Sequence, residues 1–314
     1  MKIAFFDSKI LDYSPATPGS RPLGGSQSGL CYLSRNMARA GHKVALVNNI
    51  SQPGNYSGVD CPGIEDGSKS EYLNEFDVVI VLNAAHGALF RKHGVKPTMV
   101  LWCQHDVDQP AVRSLHKPEE IDAWDGYVMV TDWGAQRYNK VFGIPTEKMS
   151  VQRNAMAPMF NDVTDKIPFF RRGEPPELIY SSTPFRGLDL LLIAFSTIRA
   201  AIPGTRLKVF SSMKVYQSSD KHDPFAPLYE LSRALDGVEY VGSVSQPELA
   251  RAFQSADIMA YLNTFPELAC IAVMEAMASD CLVITSSFGA LPESTGGHGF
   301  LMDVSKDQME MVVN

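Results

Sequence analysis

Short apolar runs alternate with amphipathic stretches along the 314-residue chain, the pattern of parallel strands covered by helices. In the first half the runs predict strands at Ile3–Phe6, Lys43–Val47, Val78–Leu82, Thr98–Trp102 and Gly126–Val130. Between the first two, Leu30, Leu33 and Met37 share one helical face, and Gly41 stands where a left-handed cap ends a helix. A second series begins near Glu177. It predicts strands at Leu178–Ser181, Leu207–Phe210, Ile258–Leu262 and Leu282–Thr285, and helices at Leu188–Ala200, Pro247–Gln254 and Ile271–Ala278. Gln52–Ser70, rich in Gly, Pro and Ser, reads as a long irregular connection. Ala157–Pro176 carries Pro158, Pro168, Pro175 and Pro176 and reads as the linker between the two series. No short-period repeat is present.

The expectation is an α/β protein of two Rossmann-like, doubly wound domains, residues 1–158 and 177–314, joined by a linker at 159–176. Two such domains would leave a cleft outside the carboxyl ends of their strands, where folds of this kind bind ligands.

Bulk chemistry narrows the class. Hydrophobic content of 45% and charged content of 20% are those of a globular protein. A net charge of −7 argues against sequence-independent nucleic-acid binding, although a local basic patch for anionic lipid is compatible with it. Cys31, Cys61, Cys103, Cys270 and Cys281 are scattered and never form a Cys-x-x-Cys pair, which suits reduced thiols rather than a disulfide framework or a zinc site. No apolar run approaches the roughly 20 residues of a membrane span. The apolar N-terminus is broken at Asp7 and reads as a strand rather than a signal peptide. A cytoplasmic protein is expected, with peripheral attachment to the inner face of a membrane as an option.

The segment Thr264–Ala278 carries the candidate chemistry. Glu267 falls in the loop after a strand, and Glu275 about two turns along the helix that follows. A helix starting near Ala269 points free N–H groups and its positive dipole end at that loop, which suits a diphosphate. The carboxylates would then accept hydrogen bonds from ligand hydroxyls. By spacing alone the alternative stands: Glu267 as a helix-start acid and Glu275 as a solvated face residue. Gly24 and Gly25, between the first strand and the first helix, serve either a turn or the close approach of a ligand to backbone. They do not form the Gly-x-Gly-x-x-Gly pattern, so nicotinamide cofactors are not indicated.

Thr264–Ala278 resembles the Glu-x7-Glu motif of retaining glycosyltransferases with the GT-B fold, family 4 of the sequence-based classification. Four further segments resemble that family in the same order: Gly24–Ser28, Gly41–Val44, Val151–Pro158 with Asn154 (Ala155 replacing a glycine), and Phe288–Glu293. The resemblance spans nearly the whole chain. It implies a nucleotide-diphosphate sugar donor bound by the second domain and an unidentified hydroxyl acceptor, glycan, lipid or small molecule, bound by the first.

Residue by residue, the resemblance assigns His105 to the transferred sugar or the acceptor, Arg186 to the diphosphate, and Glu267 to the sugar. It assigns Gly24, Gly25, Ser182, Thr183, Ala269, Cys270, Ile271 and Glu275 to the donor, and Gln27 and Asp106 to the acceptor. Ser212 and Val241 fall in segments where the family contacts the nucleotide. Arg186 stands at a position the family fills with Lys, and an earlier family Arg is replaced by serines in Ser181–Thr183, which leaves one fewer cation for the diphosphate. The family also runs on past its Pro-Glu turn, whereas here only a helix start at Lys306–Val313 follows. The implied reaction retains the anomeric configuration by a front-face route, with no metal and no cofactor. The alternatives are a nucleotide-sugar-binding subunit without turnover and a GT-B-fold epimerase or phosphorylase.

Overall fold

The structure is a computed structural model and describes residues 1–162, 166–218 and 223–303. It divides into two compact units: Met1–Pro18 with Ser26–Asn154, and Gly19–Gly25 with the chain from Ala155 onward.

The first unit is an eight-stranded sheet of β1 (Lys2–Phe6), β2 (Lys43–Val47), β3 (Gly54–Tyr56), β4 (Val59–Cys61), β5 (Val78–Leu82), β6 (Thr98–Cys103), β7 (Gly126–Met129) and β8 (Met149–Val151). Its order is β3-β4-β2-β1-β5-β6-β7-β8. Pairing is parallel throughout except between β3 and β4. The helices are α1 (Gly25–Arg39), α2 (Ile64–Gly67), α3 (Ser70–Leu73), α4 (Gly87–Lys92), α5 (Pro118–Asp122) and α6 (Asp132–Phe142). Ile3, Ala4, Phe5 and Phe6 are all buried, as a strand covered on both faces requires. Trp124 is enclosed in the core and donates its indole N–H to Glu120 at 2.9 Å. The same buried carboxylate accepts the first N–H groups of α4, from Gly87 at 2.5 Å and Ala88 at 3.1 Å.

The second unit is a six-stranded parallel sheet of β9 (Glu177–Ser181), β10 (Arg206–Phe210), β11 (Val238–Tyr240), β12 (Ile258–Tyr261), β13 (Leu282–Ser286) and β14 (Phe300–Met302). Its helices are α7 (Phe169–Arg172), α8 (Leu188–Ala201), α9 (Ala226–Ala234), α10 (Gln246–Ser255), α11 (Ile271–Ala278) and α12 (Leu291–Thr295). The order β11-β10-β9-β12-β13-β14 is the Rossmann order, with the reversal between β9 and β12. The five cysteines are free and buried.

Four expectations need correction. Gln52–Ser70 is not irregular: β3 and β4 form a hairpin there, turning at Ser57 and Gly58 with φ of 58° and 85°, followed by α2. The stretch 159–176 is not a free linker. Phe160 is fully buried with its ring 6.0 Å from that of Phe253. Lys166 Nζ donates to the carbonyls of Ser279 at 3.0 Å and Asp280 at 3.2 Å, and Arg172 grips Asp257 with both bonds under 3 Å (2.9 and 2.8 Å). Its prolines remove periodicity, so only side-chain anchors, invisible to pattern reading, reveal the packing. The boundary also moves: Gly19–Gly25 and Ala155–Pro158 belong to the second unit. On α1 the buried stripe is Gln27, Leu30, Cys31 and Ser34 rather than Leu30, Leu33 and Met37, of which the last two are half-buried. The expected helix start at Lys306–Val313 lies outside the described residues.

Candidate active site

The carboxyl ends of β9 and β12 meet at the strand-order reversal of the second unit, and the two loops leaving them carry Arg186 and Glu267. The Tyr180 hydroxyl donates to the Thr183 carbonyl at 2.9 Å and folds the first loop back on its strand. Gly187, at φ 92°, closes that loop against β12. A Cβ here would overlap the Leu262 carbonyl oxygen and lie 2.8 Å from its carbon, so only glycine allows the two loops to touch.

That closure joins the two charged residues. Arg186 Nη1 lies 2.6 Å from Glu267 Oε1, with the guanidinium 4.8 Å from the Phe265 ring and 5.5 Å from that of Phe185. Burial disfavours the Arg186 cation most, but the Glu267 carboxylate together with Tyr261, Tyr216 and Cys270 more than offsets it and holds the guanidinium above its ordinary value. Tyr261 Oη donates to the same Oε1 at 2.6 Å, and Ser182 Oγ lies 3.3 Å from Tyr261 Oη. Among the described residues, none bonds Oε2 of Glu267, and both donors reach Oε1. Arg186 and Glu267, expected to contact a ligand separately, are thus each other's partner. Behind them, Ala290 N–H donates to the Glu267 carbonyl at 2.8 Å, and the turn at Gly289 lies so close that a Cβ would meet Glu267 nitrogen at 2.8 Å.

The start of α11 is narrower as an anion cradle than the sequence suggests. The Cys270 N–H is already taken by Ser294 Oγ on α12, at 3.2 Å, and helical bonding opens with Met274 N–H to the Cys270 carbonyl. Ala269 and Ile271 remain at the helix mouth. A Cβ on Gly25 would lie 3.4 Å from Ile271 Cδ1, so this glycine sits against the same helix start, while Gly24 is buried. Glu275 lies one turn into α11, not two, and is buried rather than solvated. Its carboxyl meets Gln246 Nε2 at 3.4 Å, and desolvation pushes its pKa from 4.5 up to about 8.

Ser212 and Val241 are brought together. With Gly242, Ser243, Lys214, Asp223 and the stacked rings of Tyr229 and Tyr240, they line a cavity of about 440 Å³ at the carboxyl ends of β10 and β11. Several buried polar atoms of this unit have no protein partner: Thr183 Oγ1, Arg186 Nε, Ser211 Oγ, Ser243 Oγ, Gln246 Oε1 and Thr285 Oγ1. All lie at, or just beyond, the carboxyl ends of β9, β10, β11 and β13. Buried polar groups without partners are costly and mark the edge that a polar ligand would satisfy.

In the first unit the expected acceptor residues are more occupied than foreseen. Gln27 is buried and donates to Asp7 Oδ2 at 3.1 Å, beside Tyr13 Oη at 2.8 Å, so it does not face solvent. Asp106 is buried in a two-bonded ion pair with Arg137, at 2.8 and 2.9 Å. His105 follows β6, half-buried, and its carbonyl accepts from the Tyr138 hydroxyl at 2.6 Å. Asn154 forms a reciprocal amide pair with Gln104. Tyr261, Gln246 and the two phenylalanines flanking Arg186 escaped the sequence reading. The one available signal was a hydroxyl ending the otherwise apolar run Ile258-Met259-Ala260-Tyr261. Among the described residues, no group of three or more His, Cys, Asp or Glu could hold a metal ion, and no helix is long and apolar enough to cross a membrane.

Two Rossmann-like units in one chain, with polar and charged loops at the switch point of the second, define the GT-B fold class, and solved structures bear this out. The chain is similar to a glycosyltransferase from Rickettsia africae (TM-score 0.71, 13% identity, 99% of this chain and 86% of that one). It is similar to Anabaena HepE in complex with UDP-glucose (TM-score 0.70, 14% identity, 100% and 88%). A third likeness is to a trehalose-6-phosphate protein from E. coli bound with UDP-2-fluoro glucose (TM-score 0.69, 10% identity, 100% and 90%). Within the chain, residues 177–313 match the family described as Glycosyl transferases group 1. No curated protein matches the sequence.

Proposed function

We propose that this protein is a retaining glycosyltransferase that moves a sugar from a nucleotide-diphosphate sugar to a hydroxyl acceptor. The observation that carries the reading is the Arg186–Glu267 pair at the switch point of the second sheet, with no described residue bonding Glu267 Oε2, in a unit that matches a glycosyltransferase family. Its orphaned polar atoms along one sheet edge support a polar ligand there. The neighbours with UDP-sugars bound make such a donor the first candidate.

In this reading the donor's base occupies the cavity at Ser212 and Val241. The diphosphate lies at Arg186 and the mouth of α11, and the transferred sugar is held by Glu267. Arg186 stabilises the charge that develops on the leaving diphosphate. The acceptor oxygen attacks the anomeric carbon on the face the diphosphate leaves. The carbon–oxygen bond to phosphate breaks as the new glycosidic bond forms, and the acceptor proton passes to a leaving phosphate oxygen. With a guanidinium and a helix terminus supplying positive charge, we propose that no divalent metal is required. We assign the acceptor to the first unit, with His105 near it.

Thermal shift against UDP, GDP and ADP, followed by turnover of the matching sugar donors over an acceptor panel with and without EDTA, tests this. Absence of any nucleotide binding refutes it, and an inverted product or loss of activity in EDTA refutes the mechanism. A second reading, a donor-binding subunit without turnover, is favoured by one observation: Arg186, the cation assigned to the diphosphate, is already paired with Glu267, and serines stand where the resemblance places another Arg. Tight donor binding with no turnover on any acceptor would establish it.

A further inference from the structure

Glu267 is anchored through one oxygen only. Arg186 Nη1 and Tyr261 Oη both reach Oε1, each at 2.6 Å, and no described residue bonds Oε2. A carboxylate fixed this way cannot rotate without breaking two charge-assisted bonds, so the direction of Oε2 is set by the two donors on Oε1. Arg186 is the less constant of them, because a diphosphate would compete with Glu267 for the guanidinium. Tyr261 is uncharged and fully buried on the last position of β12, its ring 5.9 Å from that of Tyr180. Since its proton is directed at Glu267, the Ser182 hydroxyl 3.3 Å away is the donor in the next bond of the chain. Ser182 lies in the serine-bearing stretch where a second cation is missing.

We propose that Tyr261, backed by Ser182, is a positioning residue that fixes Oε2 of Glu267 towards the transferred sugar, and keeps it fixed when a diphosphate engages Arg186. Burial and the adjacent Glu267 carboxylate both raise the Tyr261 hydroxyl well above its ordinary value, so it remains a hydrogen-bond donor across the range in which the protein is folded. The hydroxyl therefore substitutes for a missing charge with a fixed dipole. The inference rests on the proposed donor reading and specifies which residue makes Glu267 selective for the sugar.

The test uses the full chain and two ligands, the nucleoside diphosphate that the wild type binds from UDP, GDP and ADP, and the corresponding glucose donor. Calorimetry of Tyr261→Phe is expected to show donor affinity falling about tenfold, the lower worth of one hydrogen bond to a charge, with nucleoside diphosphate affinity unchanged. Ser182→Ala should move the donor in the same direction by less. In a Glu267→Gln background, Tyr261→Phe should add little further loss, because one residue acts through the other. Equal affinity of Tyr261→Phe and wild type for the sugar donor overturns the proposal. Equal loss for both ligands also overturns it, since that marks a general structural role, as does full additivity with Glu267→Gln. Failure of the wild type to bind any nucleotide instead refutes the donor reading beneath it.

Discussion

Replacing Glu275 by glutamine should stabilise the protein, and increasingly so as pH rises. Glu275 is buried on α11, its carboxyl has the Gln246 amide at 3.4 Å as its hydrogen-bond partner among the described residues, and desolvation alone pushes its pKa from 4.5 to about 8. Below pH 4.5 the carboxyl is neutral in both folded and unfolded chains, and it costs nothing extra. Between pH 4.5 and about 8 the unfolded chain releases this proton while the folded protein keeps it, so stability falls with rising pH. At about 1.4 kcal/mol per pH unit, the window amounts to roughly 5 kcal/mol, and above it both states are ionised and the deficit stays constant. Glutamine keeps the shape and the contact with Gln246 but cannot ionise. Glu275→Gln should therefore exceed wild type by only about 1 kcal/mol near pH 5 and by about 5 kcal/mol at pH 8.5. Urea unfolding followed by far-UV circular dichroism measures this. The signal matters, because Trp102, Trp124 and Trp133 all lie in the first unit and tryptophan fluorescence would miss the second. A difference between variant and wild type that does not change between pH 5 and 8.5 would refute the reasoning.

Three further outcomes are expected. Gly187→Ala places a left-handed alanine against the Leu262 carbonyl, costing about 2–5 kcal/mol from backbone strain and overpacking; melting temperature should drop and nucleotide binding should be lost with it. Phe160→Ala empties a buried site beside Phe253 and should cost about 3–5 kcal/mol; a loss under 1 kcal/mol in urea unfolding would restore 159–176 as a free linker. Glu120→Gln replaces a carboxylate that accepts from Gly87, Ala88 and Trp124 by an amide with one acceptor, costing about 1.5–3 kcal/mol. Trp124 fluorescence reads that loss in the first unit directly.

The strand–helix series, both Rossmann-like domains and the identity of the second-unit loops were legible in sequence, because each depends on local signals. Buried parallel strands need continuous apolar runs such as Ile3–Phe6, helices need a periodic face, and a helix start after a strand is written in the few residues around Glu267 and Ile271. The hairpin at Gly54–Cys61 failed because its strands are only three residues long and partly exposed, too short for an alternating pattern. Phe160, Lys166 and Arg172 were missed because each finds its partner about 85 or more positions away.

How the site residues are occupied was set by contacts between distant parts of the chain. Sequence placed Arg186 and Glu267 in two strand-end loops of one domain, but their bond depends on the strand-order reversal that sets β9 beside β12, and on a glycine without a Cβ where the loops touch. Tyr261 as anchor, Gln27 turned inward to Asp7, Asp106 spent on Arg137, and Glu275 neutralised by burial follow from the same cause. Hydrogen bonds and desolvation are properties of neighbours in space, and a linear chain records which side chains are available, not which of them will meet.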